Sequence, residues 1–305
     1  MPSSLLQRLQ STSRDDVLHR VWIMSDLQQQ HPDNARHCLT TATEDFRALE
    51  LECDQIWYLG DAVEGADVDR LRAMVDMQIE LLEPLKIPLR FVCGNHDFDP
   101  HLLNPEGLPL RGNACLSVLA HDQFAQVPGW KTTEQISDFY FTDTVGEYSL
   151  FFLSDHAHPQ GAWISTHGSL HGDTNAYPHT QDAYLALRDL IDHSPGPVIT
   201  AGHLSFPGGL RPSALMGQLL PLPERVRAHF YGHSHIGDSA CGGPACYRKI
   251  STIDGQKTPQ IDVAALENFR GDAIRSAILE IYVDGSLGIL FREHCRQRWC
   301  EAYYF

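Results

Sequence analysis

The sequence predicts a layered α/β protein, and three observations carry that expectation. Short apolar runs alternate with longer amphipathic ones through the first half, the pattern of strand–helix–strand units. Hydrophobic residues make up 43% of the 305 positions, enough to bury a sizeable core and exclude wholesale disorder. The chain shows no internal repeat, low-complexity stretch or interdomain linker. Its length is about twice the ~150 residues of an average domain, but a layered α/β domain can occupy it alone. Residues 1–305 are therefore read as a single domain.

Taken in order, Val21-Trp22-Ile23-Met24-Ser25 is an apolar run ending at Asp26, a buried-strand candidate. Residues 34–51 read as a helix, with apolar positions at Leu39, Ala42, Phe46 and Leu49. Ile56-Trp57-Tyr58-Leu59 is a second strand closed by Gly60-Asp61, and a helix over about 67–82 follows, ended by Pro84. Leu89–Cys93 is a third strand, closed by Gly94-Asn95-His96-Asp97. Residues 98–138, rich in Pro, Gly and Asn, read mainly as a loop-rich insertion with room for one helix. Residues 148–153 form another strand. The stretch to about 180 reads as a long loop carrying His156, His158, His167, His171 and His179. A helix over 181–191 leads to Val198-Ile199-Thr200, closed by Gly202-His203, and Ala228–Tyr231 runs into Gly232-His233-Ser234-His235. Alternation over 277–291 around Asp284-Gly285 predicts a β-hairpin, a C-terminal extension over about 277–305.

Charge narrows the function classes. Lys and Arg number 23 against 39 Asp and Glu, a net charge of -16. Such a chain repels a phosphate backbone and an anionic membrane surface, so neither nucleic-acid backbone binding nor membrane association is expected. An anionic substrate then needs locally concentrated positive charge. No apolar run approaches the ~20 residues of a membrane span, and the first twenty residues have no apolar core of a signal peptide. Eight cysteines without such a signal favour reduced thiols and a cytoplasmic location.

Five strand candidates end in polar, metal-capable side chains: Asp26 with Gln28, Asp61, Asn95 with His96, His203, and His233 with His235. Ligands of α/β sheets bind at the carboxyl ends of strands, so these groups can converge on one rim. Glycine precedes four of the clusters (Gly60, Gly94, Gly202, Gly232), letting the backbone turn off the strand. Any one residue alone is readable as a cap, a turn former or a core histidine; the ordered set is not. Mixed carboxylate, amide and imidazole donors suit Mn²⁺, Fe or Zn²⁺ rather than Ca²⁺. The number of donors exceeds one metal's needs, which points to two metals sharing a carboxylate.

The ordered set resembles the calcineurin-like metallophosphoesterase superfamily, whose pattern is Asp-x-His, Gly-Asp, Gly-Asn-His-(Asp/Glu), Gly-His and Gly-His-x-His. The resemblance implies a four-layer α/β/β/α sandwich of two mixed sheets with a dinuclear site. By position, Asp26, Gln28, Asp61 and His235 would hold one metal, and Asp61, Asn95, His203 and His233 the other. A bridging hydroxide would attack phosphorus, His96 would protonate the leaving oxygen, and Asp97 would orient His96 or act as a helix cap. The expected substrate is a small phosphomonoester, phosphodiester or nucleotide diphosphate. One position departs, because Gln28 stands where the family usually has His. The Asp-x-Gln variant is similar to manganese-dependent members that cleave ADP-ribose and CDP-alcohols, a pointer to Mn²⁺ and diphosphates. The alternative is a catalytically weak, metal-stabilised binding or scaffold protein of the same fold.

The loops at 98–138 and 156–180 are placed to frame the site, and Phe206, Pro207, Gly208 and Gly209 follow His203 closely enough to line it, although ordinary loop packing accounts for them as well. Cys241-x4-Cys246 and Cys295-x4-Cys300 make two same-spaced pairs, readable as a structural zinc site, as disulfides in an oxidising compartment, or as small buried hydrophobes.

Overall fold

Why the strands read as unbroken apolar runs is explained by what covers them. In the computed structural model, which describes residues 16–28, 31–63, 68–94, 97, 121–134, 138–154, 181–209, 216–235, 250–268 and 273–305, β1 (Val17–Met24) is fully buried from Val21 onward. Alternate side chains enter different cores. Trp22 and Met24 pack in one cluster with Leu39 and Phe46 of α1 (Pro32–Ala48) and Leu71 and Met74 of α2 (Val68–Leu82). Val21 and Ile23 face a second cluster with Phe152, Ile199 and Phe230 of the opposing sheet. A sheet buried on both faces has no solvated side to alternate toward, so its strands read as near-continuous apolar runs.

The first sheet has the order β12-β11-β10-β1-β2-β3, with β2 at Gln55–Leu59 and β3 at Leu89–Val92. The strands β1, β2 and β3 run parallel. The second sheet has the order β4-β5-β6-β7-β9-β8, built from β4 (Tyr140–Val145), β5 (Tyr148–Leu153), β6 (Val198–Gly202), β7 (Val226–Tyr231), β8 (Ile250–Thr252) and β9 (Pro259–Asp262). Its outer face packs Phe151 and Leu153 against Tyr184, Leu187 and Ile191 of α3 (Gln181–His193). Helices, sheet, sheet and helix make the four layers.

The C-terminal segment differs from expectation. The hairpin forms, with β10 (Arg275–Tyr282) and β11 (Leu287–Glu293) joined across Asp284-Gly285, where Gly285 has φ 78°. It is no appendage, because β10 pairs antiparallel with β1 and places Ala277 beside Ile23. A third strand, β12 (Arg298–Tyr304), completes that half of the sheet. The strands not anticipated, β4, β8, β9 and β12, are short or lie at sheet edges, where half-exposed residues carry no apolar run. Of the expected insertion, residues 121–134 and 138 are described. There the Lys131 backbone pairs with Leu89 and Phe91, and Phe124 meets Phe91 edge to face at 4.7 Å.

One buried polar network ties α1 to this sheet. Arg292 forks onto Asp45 at 2.8 and 2.7 Å, and His294 Nδ1 lies 2.8 Å from the same carboxylate. Burial alone would raise the Asp45 pKa, but Arg292 and His294 hold it down at about 2, while burial lowers that of His294. Both folded values lie below the ordinary 3.8 and 6.5, so the unfolded chain takes up these protons first. The contribution of this network to stability should therefore be flat above pH 6.5, begin to fall as His294's unfolded counterpart protonates, and fall further between pH 3.8 and about 2. Removing one partner of such a buried pair costs about 3–5 kcal/mol. Denaturant unfolding of Asp45→Ala should show that loss at pH 7 and a flattened acid limb.

Candidate metal centre

The carboxyl ends of β1, β2, β3, β6 and β7 deliver their following loops to one rim. Backbone bonds sew the first two together: Asp26 N–H donates to Gly60 O at 3.0 Å, and Leu27 and Gln28 N–H both donate to Asp61 O at 3.0 Å. The last two are joined by Gly232 N–H to His203 O at 3.2 Å. His233 N–H donates to both oxygens of Asp26, at 3.1 and 2.9 Å, linking the loop after β7 to that after β1. Asp26, Gln28, Asp61, His203, His233 and His235 are all buried.

Four of these six residues hold a left-handed backbone: Asp26 (φ 56°), Asp61 (φ 52°), His233 (φ 66°) and His235 (φ 47°). Non-glycine residues there cost of order 1–3 kcal/mol each and persist only when the surroundings enforce them, a pattern that clusters at functional sites.

The side chains gather into two groups, Asp61 with His203 and His233, and Asp26 with Asp61 and His235. Within each group the donor atoms lie within 4.8 Å of one another, and Asp61 belongs to both. His203 Nε2 is 3.2 Å from Asp61 Oδ2, and His235 Nε2 is 3.3 Å from Asp26 Oδ1 and 3.9 Å from Asp61 Oδ2. His203 and His233 meet edge to face with ring centres 5.0 Å apart. The Nδ1 of His203 bonds to Leu59 O at 2.7 Å, which turns Nε2 toward the carboxylates.

The electrostatics are those of concentrated negative charge needing cations. Burial raises the Asp26 pKa against the pull of His235 and His203. For His203, burial pulls down, but Asp61 and Asp26 overcome it and carry the pKa up to about 10. Gln28 tests whether these residues suit a metal. Its Nε2 sits 3.1 Å from Asp61 Oδ2 and 2.8 Å from His235 Nε2, while its buried Oε1 has no hydrogen-bond partner among the described residues. A buried amide oxygen without a donor is costly, and a half-turn of the amide would bring it to the Asp61 and His235 side, where a cation would satisfy it. The donor set and the orphaned oxygen both fit divalent metal.

Asp97 has backbone partners that the sequence did not point to, while the expected contact with His96 lies outside the described residues. Its buried carboxylate accepts backbone N–H groups from Asp61 (2.9 Å), Ala62 (2.9 Å), Val63 (3.3 Å) and Gly94 (2.7 Å). It thus clamps the loops after β2 and β3 together. Burial and the Asp61 carboxylate push its pKa up to about 7, opposed by the N–H donors. The glycines matter chiefly for close approach. A Cβ on Gly94 would lie 2.2 Å from Asp61 Oδ1, and one on Gly232 would lie 1.9 Å from Ser25 Oγ and 2.6 Å from Asp26 Oδ2.

Other expectations sort as follows. Asn95, His96, His156, His158, His167, His171, His179, Cys241 and Cys246 lie outside the described residues. Cys295 and Cys300 belong to no cluster of three or more metal-capable side chains among the described residues. Phe206 does not line the site: it is buried in the outer core and packs edge to face on His229 at 4.7 Å. The segment after β9 was not anticipated. Asp262 accepts a hydrogen bond from Ser234, and Glu267 reaches His235. The available signal was Ile261-Asp262, one more apolar run ending in an acidic residue, but too short to read as a strand.

Two stacked mixed sheets whose strand ends gather buried carboxylates and imidazoles around Asp61 form a candidate metal site. The chain belongs to the calcineurin-like phosphoesterase family, whose model matches residues 19–237. It is a metallophosphoesterase, a metal-dependent phosphoester hydrolase. Among solved structures it is similar to a dimetal phosphatase from Danio rerio, with TM-score 0.65 and 13% identity over 95% of this chain and 99% of that one. It also resembles a purple acid phosphatase from yellow lupin (Lupinus luteus) seeds, with TM-score 0.51 and 14% identity over 94% of this chain and 53% of that one. At these identities the likeness is one of fold. No curated protein matches the sequence. No helix among the described residues is long and apolar enough to cross a membrane.

Proposed function

We propose that the chain hydrolyses a small phosphorylated substrate, a phosphomonoester, phosphodiester or nucleotide diphosphate, at a centre of two divalent cations. The observation that carries this reading is the membership of Asp61 in both buried ligand groups. Asp26, Gln28, Asp61 and His235 hold one metal, and Asp61, Asn95, His203 and His233 the other. Two carboxylates and an amide oxygen make the first set oxygen-rich, which favours Mn²⁺, with Fe or Zn²⁺ as the other candidates. Two divalent cations held there would neutralise phosphoryl charge and lower the pKa of bound water toward ~7, the chemistry that supplies a hydroxide nucleophile at neutral pH.

The protein's own groups do the rest. Leu59 O fixes the His203 ring, Asp97 fixes the spacing of two ligand loops, and His96 protonates the leaving oxygen. Of the groups that would touch the metals, Asp26 and Asp61 offset two of the four positive charges, while Asp97, Asp262 and Glu267 stand behind them. The metals would thus concentrate positive charge locally in a chain of net charge -16, where an anionic substrate needs it. A scaffold role is disfavoured by four ligand-bearing residues in costly backbone conformations. The cysteine usage supports a cytoplasmic location.

Metal-stripped protein should be inactive and regain turnover with Mn²⁺ on a panel of phosphomonoesters, phosphodiesters and nucleotide diphosphates. Absence of turnover on every substrate with Mn²⁺, Zn²⁺ and Fe²⁺ would overturn the proposal.

A further inference from the structure

The segment after β9 lies beyond the residues matched by the family model, which end at 237, yet it runs directly against the site. Leu266 N–H donates to Ser25 O at 3.0 Å and Glu267 N–H to Asp26 O at 2.9 Å, so its backbone tracks the loop that carries Asp26 and Gln28. Asp262 accepts from the hydroxyl of Ser234, the residue between His233 and His235, and from Ala264 N–H at 3.0 Å. Ala264 adopts φ 66°. The segment therefore turns sharply and grips two ligand loops at once.

Within it, the buried Glu267 places Oε1 3.3 Å from His235 Nδ1. The other ring nitrogen, Nε2, faces Asp26 and Asp61 and lies 2.8 Å from Gln28 Nε2. A carboxylate only accepts, so Glu267 favours the ring proton on Nδ1 and leaves the Nε2 lone pair for a cation among Asp26, Gln28 and Asp61. We propose that Glu267 is a positioning residue that selects this tautomer and holds the His235 lone pair toward the metal shared by Asp26, Gln28 and Asp61. The inference rests on the two-metal reading above.

The corresponding partner of His203 is a neutral carbonyl, Leu59 O. Among the described residues, a carboxylate stands behind the Nδ1 of His235, where His203 has the carbonyl. That extra charge acts where the neutral Gln28 replaces an imidazole. A carboxylate behind a ligating histidine raises its basicity, and losing such partners typically costs about 10–100-fold in metal affinity.

Equilibrium dialysis with EPR detection of free Mn²⁺ tests this on the full chain. The wild type should bind two Mn²⁺ per chain. Glu267→Ala should weaken one of the two sites by about 10–100-fold and leave the other within error. Glu267→Gln, which keeps an acceptor but not the charge, should fall between. Thermal unfolding in chelator should leave Glu267→Gln close to wild type. Unchanged Mn²⁺ binding in both variants, or equal weakening of both sites, would overturn the role of Glu267. A wild type that binds fewer than two Mn²⁺ would instead overturn the two-metal reading itself.

Discussion

Asp61→Asn should bind at most one divalent metal per chain and lose essentially all turnover. Asp61 is the one side chain common to both ligand groups, and the amide has the same shape but no charge and one fewer oxygen donor. The loss should exceed the about 10²–10³-fold drop in kcat seen when one preorganised electrostatic group is removed. The backbone of Asp61 has separate anchors, because its N–H is held by Asp97 and its carbonyl accepts from Leu27 and Gln28. The variant should therefore remain folded, with its metal-free melting temperature lowered by the loss of the charged partner of His203. Metal analysis of the dialysed protein beside steady-state kinetics checks both parts. Full activity, or two metals retained, would remove Asp61 from the centre of the mechanism.

Gly94→Ala should be nearly as damaging although it touches no chemistry. The added methyl would stand 2.2 Å from Asp61 Oδ1 and 2.4 Å from Asp61 N, and backbone cannot retreat as a flexible side chain can. Either the loop after β3 or Asp61 must move, and a displacement near 1 Å costs about 10²-fold in rate. Overpacking of a buried site adds about 1–3 kcal/mol of destabilisation. The expected signature is a fall in kcat together with weaker metal retention and a lowered melting temperature. Gly129→Ala serves as the control for generic loop effects, since nothing lies within 4 Å of a Cβ there and only its φ of +83° is strained. Turnover equal to wild type in Gly94→Ala would show that the tight approach is not required.

The ligand positions were legible because each core strand is buried on both faces and stops abruptly at a polar residue. Val21–Met24 followed by Asp26, and Ile56–Leu59 followed by Asp61, show that boundary directly in the chain. The reason for the glycines was only half legible. Gly60 does turn with φ +87°, but Gly94 and Gly232 are needed because two loops meet side chain to backbone, a contact between residues far apart in sequence. Asp97 was legible as a site residue, but its clamping contacts were not, since Asp61, Ala62 and Val63 belong to a different strand–loop unit. The edge strands β4 and β12 alternate weakly, with Phe141 and Val145 the buried residues of β4. The tail's place beside β1 was invisible because its apolar alternation fits a free hairpin as well as a sheet partner. Glu267 follows a four-residue strand and carries no motif; only its distance to His235 Nδ1 reveals it.

The most direct test of the central claim is an anomalous-difference map from crystals of the wild-type protein grown with Mn²⁺. Two peaks roughly 3.5–4 Å apart, with the Asp61 carboxylate between them and the Gln28 side-chain oxygen on the Asp26 side, are the predicted result. A single peak, or two that do not share Asp61, would contradict it.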